Sequence, residues 1–177
     1  KNVLPQNVEP LAFILIRDKL RKEAVKTLRY FMDNDVDVKV ISGDSVSTVR
    51  NVAKAVGIKV NGVFDAREIN EETDLNLVVE ENTIFGRVKP DQKRMLISSL
   101  KHNGHVVAMT GDGVNDVLAL KESDCGVAMN DGADAARNVA EIVLLDSNFD
   151  SMPKIVGEGR RTINNVERSA TLFLSKT

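Results

Sequence analysis

The chain has 177 residues, 42% hydrophobic and 28% charged, which suits one sizeable domain of an ordinary globular protein and leaves too little for two. Its net charge of −2 offers nothing to attract nucleic acid or an anionic membrane surface, so neither is expected as a partner. The one cysteine, Cys125, excludes an internal disulfide and, beside Gly126, Val127, Ala128 and Met129, reads as a buried, inert thiol. No apolar run approaches the roughly 20 residues that cross a bilayer, and the start has neither signal-peptide nor transit-peptide character.

In chain order, residues 11–16 are a continuous apolar run, and residues 21–32 carry helical periodicity through Ala24, Val25, Leu28 and Phe31. Residues 36–41 form a β-rich run that ends at Ser42-Gly43-Asp44. Residues 45–56 then read as a helix, with Val49, Val52, Ala53 and Val56 on one face and Gly57 as its stop. Short strands are expected at residues 62–64 and 83–85, on either side of an acidic surface helix over 70–81. Pro90 suits the start of a helix running to Leu100, with Met95, Leu96 and Leu100 inward and Gly104 beyond its end. A strand at 106–109, a helix from Val117, and strands at 126–129 and 142–145 follow, the last two separated by an Ala-rich helical turn. From Met152-Pro153 the pattern is helical to the end, with Arg160, Arg161, Arg168 and Lys176 on a basic face. Apolar strands alternating with helices predict an α/β, Rossmann-like domain with a mostly parallel sheet covered by helices on both faces. No repeat or linker divides the chain.

Three groups fall at strand ends or helix starts, where open α/β sheets bind ligands. In Ser42-Gly43-Asp44, a hydroxyl and nearby backbone N–H groups can donate to a phosphate oxygen, although the group by itself reads more readily as a helix cap. In Gly86-Arg87-Val88-Lys89-Pro90-Asp91-Gln92-Lys93, a cation could reach a phosphoryl group, and spacing does not choose among Arg87, Lys89 and Lys93. The richest group is Thr110-Gly111-Asp112-Gly113-Val114-Asn115-Asp116, with two carboxylates four residues apart between glycines that permit tight turns. Such oxygens suit Mg²⁺, which takes carboxylates together with phosphate oxygens and waters. Together the three groups describe Mg²⁺-dependent phosphoryl transfer governed by positioning and electrostatics. His102 and His105 flank a helix-stop glycine and read as surface histidines, and Met109 and Met129 as core.

The order Ser-Gly-Asp, then Arg-Val-x-Pro-x-x-Lys, then Thr-Gly-Asp-Gly-Val-Asn-Asp resembles the phosphorylation domain of P-type cation-transporting ATPases, within the haloacid-dehalogenase-like superfamily. The resemblance covers nearly the whole chain. It implies that Ser42 bonds the transferred phosphoryl group, where the family usually has threonine, and that Gly43 and Asp44 lie near the nucleotide phosphates. Lys93 matches the motif lysine. Asp112 would bind Mg²⁺ directly, Asp116 would support it, and Asn115 would contact phosphoryl oxygens, with Thr110, Gly111 and Gly113 shaping the loop. ATP would be the substrate. Residues 1–21, with Asp18 and Arg21, resemble the hinge segment that re-enters this domain after the nucleotide-binding domain, where Arg21 would orient ATP or brace the hinge. Residues 157–177, from Gly159-Arg160-Arg161-Thr162-Ile163-Asn164-Asn165, resemble the stalk that leads to a membrane helix.

The sequence departs from the family in one decisive respect: the Asp-Lys-Thr-Gly-Thr string of the aspartate nucleophile is absent. Asp18-Lys19 continues Leu20-Arg21, without the hydroxyl-bearing loop, and aligns with another segment. Val117-Leu118 stands where many members have Ala-Pro. The expectation is therefore a fragment, inactive alone, whose partners are the upstream nucleophile segment, the nucleotide-binding and actuator domains and the membrane helices of one parent chain. It would sit on the cytoplasmic side of a pump. A stand-alone phosphatase of the same superfamily, or a degenerate phosphate-binding domain, are the competing readings. The transported ion cannot be read from these residues.

Overall fold

A computed structural model describes residues 11–12 and 21–175, so the expected strand across 13–16, and Asp18 and Lys19, lie outside the described residues. The elements run α1 (Lys22–Met32), β1 (Val40–Ile41), α2 (Val46–Ala55), β2 (Val63–Asp65), α3 (Leu75–Glu81), β3 (Ile84–Gly86) and α4 (Pro90–His102). They continue with β4 (Ala108–Gly111), α5 (Val117–Glu122), β5 (Cys125–Met129), α6 (Asp134–Arg137), β6 (Ile142–Leu144) and α7 (Met152–Leu174).

Every strand pairing among the described residues is parallel, as the alternation of strands and helices predicts. The described strands form two ladders rather than one, ordered β1-β3-β2 and β4-β5-β6. Each ladder is covered on both faces because strand side chains alternate. On the central strand β3, Ile84 packs with Val49 and Ala53 of α2 and with Val56 just beyond it, while Phe85 packs with Val79 of α3 and Leu96 and Leu100 of α4. On β5, Ala128 meets Ile97 of α4 and Leu120 of α5, while Val127 meets Met152 of α7. No backbone ladder joins the two sheets among the described residues, yet Ile41 and Val107 each pack against both of the clusters that α4 enters. The result is an α/β, Rossmann-like fold whose two ladders share apolar packing.

Local chemistry sets the boundaries. Ser45 accepts a hydrogen bond from the Thr48 N–H and caps α2, and Gly57 (φ +85°) lets the chain turn out of it. Pro90 occupies the first turn of α4, and the Gln92 side chain reaches back to accept from the Lys89 N–H. The acidic helix begins only at Leu75, because Asp74 caps it by accepting from Asn76 and Leu77 while Asn70 and Thr73 close a preceding turn. The strand expected at 106–109 pairs at Ala108–Gly111 instead, since the Asp124 carboxylate takes the Val107 N–H and Val106 is 90% exposed. Of the run 36–41, only Val40–Ile41 joins a ladder, opposite the first two residues of the three-residue strand β3. The first turn of α7 is anchored by Met152, whereas residues 157–175 are exposed.

His105 is exposed and bonds the Glu80 carboxylate at 2.7 Å; Asn103 and His105 together hold the Glu80 carboxyl below its usual range. Cys125 is half-buried, and burial raises its thiol pKa, in keeping with an inert thiol.

Two packing points are directly testable. Leu96 is fully buried, so Leu96→Ala should lower unfolding stability in urea by about 2–5 kcal/mol. A Cβ on Gly86 would lie 2.6 Å from Val46 Cγ2 and 2.8 Å from Val46 Cα, where the end of β3 meets the start of α2. Gly86→Ala should therefore cost roughly 1–3 kcal/mol through overpacking, and an unchanged urea midpoint would refute that close approach.

Candidate functional site

The site is built on the loop between β4 and α5. Gly111 allows the chain to fold back on itself, because a Cβ there would lie 2.6 Å from the Asp116 Cβ. Asp116, 8% exposed, accepts from the Gly113 N–H at 3.2 Å and closes the loop. Its other oxygen meets Lys93 Nζ at 2.5 Å. Both side chains are largely shielded from water, with side-chain exposures of 12% for Lys93 and 11% for Asp116. A charge pair this shielded depends on both partners, since removing either strands the other in a low-dielectric setting.

Asp112 is unlike Asp116. Its side chain is exposed and makes no hydrogen bond or ion pair among the described residues, as is also true of Asn115. Its backbone is held firmly, with the Asp112 carbonyl accepting from the Ala133 N–H at 2.8 Å. A Cβ on Gly132 would lie 2.6 Å from that same carbonyl, so this position requires a glycine. The loop after β5 thus clamps the loop after β4, a role that nothing in the spacing of Gly132 announces.

The Ser42 turn leaves β1 in the other ladder. The Asp44 N–H donates to Ser42 Oγ at 3.1 Å, so that oxygen accepts within the turn while its O–H remains available to donate. The turn is clipped to the segment that leads into α4: Val88 N–H donates to the Ser42 carbonyl at 3.0 Å and Arg87 N–H to the Asp44 carbonyl at 2.7 Å. That segment continues through Lys89 into the helix that carries Lys93. Gly43 and Asp44 are exposed on this turn, and Thr110 is exposed on β4.

The structure separates the three cations that spacing left equivalent. Lys93 turns inward onto Asp116, Lys89 is exposed, and Arg87, in the left-handed region (φ 55°), lies 3.7 Å from Asp65. Arg21 donates to the Ser147 carbonyl at 3.3 Å and lines a cavity of about 260 Å³ together with Asp112, Asp131, Asn148 and Asp150. Sequence spacing gave no hint of the 147–150 loop as the bridge between Arg21 and Asp112.

Among the described residues no three His, Cys, Asp or Glu side chains converge on a metal position. The donor set still fits Mg²⁺, which uses one or two carboxylates and completes its shell with phosphate oxygens and water. Asp112 supplies a free, accessible carboxylate, and Asp116 is engaged by Lys93.

Residues 2–124 match the family described as haloacid dehalogenase-like hydrolase. A calcium-transporting ATPase, CtpE, from Mycolicibacterium smegmatis is 52% identical over 98% of the chain, and a probable cation-transporting ATPase, exp7, from Streptococcus pneumoniae is 44% identical over the same share. The chain spans 22% of the length of each of these relatives. Among solved structures, the catalytic domain of the CPx-ATPase CopB-B superposes with a TM-score of 0.59 at 27% identity, covering 75% of this chain and 44% of that one. A zinc-transporting PIB-type ATPase shares the fold, with a TM-score of 0.68 at 21% identity over 86% of this chain and 21% of its own. The chain belongs to the haloacid dehalogenase-like hydrolases, and its sequence matches the cation-transporting P-type ATPases along nearly its whole length.

Proposed function

We propose that this chain is the C-terminal part of the phosphorylation domain of an ATP-driven cation pump, and that it supplies the groups that receive and stabilise a phosphoryl group on an aspartate carried by an upstream segment. The shielded Lys93–Asp116 pair beside the free Asp112 carboxylate carries this reading. The pair fixes a cation at the carboxyl end of a parallel sheet without exposing it to solvent. A fixed positive charge in a water-poor site stabilises charge that develops on transferring oxygens.

In this reading Lys93 neutralises a phosphoryl oxygen, the Ser42 O–H donates to another, and the Asn115 amide donates to a third. Asp112 would hold Mg²⁺ directly and Asp116 would support it while orienting Lys93. When bound, Mg²⁺ would supply positive charge that offsets the charge of the transferring group. Gly43 and Asp44 lie beside the phosphates of ATP, Thr110, Gly111 and Gly113 shape the loop, and Arg21 orients the nucleotide from the hinge. The nucleophile segment, the nucleotide-binding and actuator domains and the membrane helices belong to the same parent, on whose cytoplasmic side this domain sits. Residues 1–21 form the returning hinge segment and residues 157–177 the start of the stalk. The exposed second half of α7 supports the latter, although no helix among the described residues is long and apolar enough to cross a membrane. Two separate ladders whose strands share apolar neighbours suit a fold completed by one further segment. Calcium is the proposed cargo, since the relatives at 50–52% identity are named calcium-transporting ATPases.

Intact mass after incubation with Mg²⁺ and acetyl phosphate tests the reading. The chain alone should gain no adduct. The chain joined to its upstream segment should gain one phosphoryl group, whose formation EDTA prevents and which hydroxylamine removes. A hydroxylamine-labile adduct on the chain alone would restore the stand-alone phosphatase.

In the extended protein, Lys93→Met should slow adduct formation by about 10²–10³-fold. It should also destabilise the fold by roughly 3–5 kcal/mol, because Asp116 would be left unpaired. Asn115→Ala, at an exposed side chain, should slow the reaction while leaving the urea midpoint unmoved. Unchanged rates in both variants would sink the assignment.

A further inference from the structure

The turn between β5 and α6, residues 130–133, supplies the Ala133 N–H that holds the Asp112 carbonyl at 2.8 Å. Much depends on that bond. The Asp112 side chain has no hydrogen bond or ion pair among the described residues, so its carboxylate stands where the main chain puts it. The residue before it is fixed by the ladder, where Gly111 lies opposite Ala128. From there on, the position of Asp112 follows the shape of the facing turn.

That shape is set by two groups of bonds. The Asn130 N–H donates to the Leu144 carbonyl at 3.0 Å and the Asp131 N–H to Ser147 Oγ at 2.9 Å, which ties the turn to the end of β6 and the loop after it. The carbonyls of the turn are gathered by one side chain. Arg137, the last residue of α6, donates from Nη1 to the Asn130 carbonyl and, at 3.2 Å, to the Gly132 carbonyl, while its Nη2 donates to the Asp134 carboxylate. A planar guanidinium with five N–H groups can serve two carbonyls and a carboxylate at once, whereas an ammonium has no such fixed fork. The side chain is half-buried, and carbonyls drawn to one cation curl the backbone round it. Gly132 leaves no slack in the arrangement, because a Cβ there would lie 2.6 Å from the Asp112 carbonyl and 3.0 Å from that of Met129. Ala133, with its bond to Asp112, comes next in the chain.

We infer that Arg137 is a positioning residue for the phosphoryl-transfer site: its grip on the Asn130 and Gly132 carbonyls holds the turn that fixes Asp112, and so sets where that carboxylate stands. The inference rests on the role proposed above for Asp112 in holding Mg²⁺. Arg137 touches neither metal nor substrate in this assignment and acts only through the turn.

Two measurements on the chain joined to its upstream segment test it. The first is amide hydrogen exchange in EDTA, which needs no metal. In Arg137→Ala the Ala133 amide should exchange at least about tenfold faster, because two charge-assisted bonds that close the turn are gone, while amides in the middle of α4 keep their rates. The second is the Mg²⁺ dependence of phosphoryl adduct formation from acetyl phosphate. The half-saturating Mg²⁺ concentration should rise about tenfold, with the rate at saturating Mg²⁺ within about twofold of the parent, a split that a general loss of fold would not produce. Arg137→Lys keeps one charged donor and should fall between the parent and the alanine variant in both measurements. Unchanged Ala133 exchange in Arg137→Ala overturns the inference, and so does faster exchange throughout α4, which would make Arg137 a residue of general stability. A lowered saturating rate with the Mg²⁺ dependence intact overturns it as well. If the unsubstituted protein forms no adduct, the phosphorylation-domain reading fails instead, and Ala133 exchange still decides whether Arg137 fixes the turn.

Discussion

The contact on which the rest of the structure depends is the ion pair between Lys93 and Asp116. It spans the two ladders. Lys93 rides on α4, whose Leu96 and Leu100 belong to the core of the first sheet, while Asp116 closes the loop at the end of the second. The same helix places Ile97 in the second sheet's core. One helix therefore serves both sheets through its apolar face and joins them again through a charge.

A shielded pair of this kind adds little net stability by itself, because desolvation of both ions offsets most of their attraction. Its value is positional. The ammonium cannot swing towards solvent without stranding the carboxylate, and the carboxylate cannot move without reopening the Gly113 turn. Asp112, four residues earlier, is left without a side-chain partner on a backbone that Gly132 and Ala133 clamp from behind. The loop thus pairs one carboxylate with a shielded cation of α4 and leaves another uncommitted, and in the proposed role that pair would hold its charge without reorganising.

The first ladder is organised differently. Its strand ends carry a hydroxyl turn and an arginine-rich cleft, with the β3–α4 connection running between them. The bonds that hold the Ser42 turn also hold Arg87 in its left-handed conformation, so the two features share one backbone support. In each ladder charged residues follow the carboxyl ends of the strands, where parallel sheets place their loops.

By itself the sequence determined the parallel α/β class, the placement of nearly every helix, and the three groups at strand ends. These depend on local terms: apolar runs of strand length, helical periodicity, Pro90 and Gly57 as punctuation, and tight turns at Gly111 and Gly113. It also carried the Thr110-to-Asp116 string, whose residue types already state their chemistry. Tertiary structure decided matters that require distance. Spacing could not choose among Arg87, Lys89 and Lys93, because the choice depends on which side chain α4 turns towards a carboxylate 23 residues away. The division of the strands into two ladders, the start of β4 at Ala108, and the meeting of Arg21 with Asp112 follow from pairing and packing between remote segments. So does the bond from Ala133 to Asp112, which joins two loops that look unrelated when read in order.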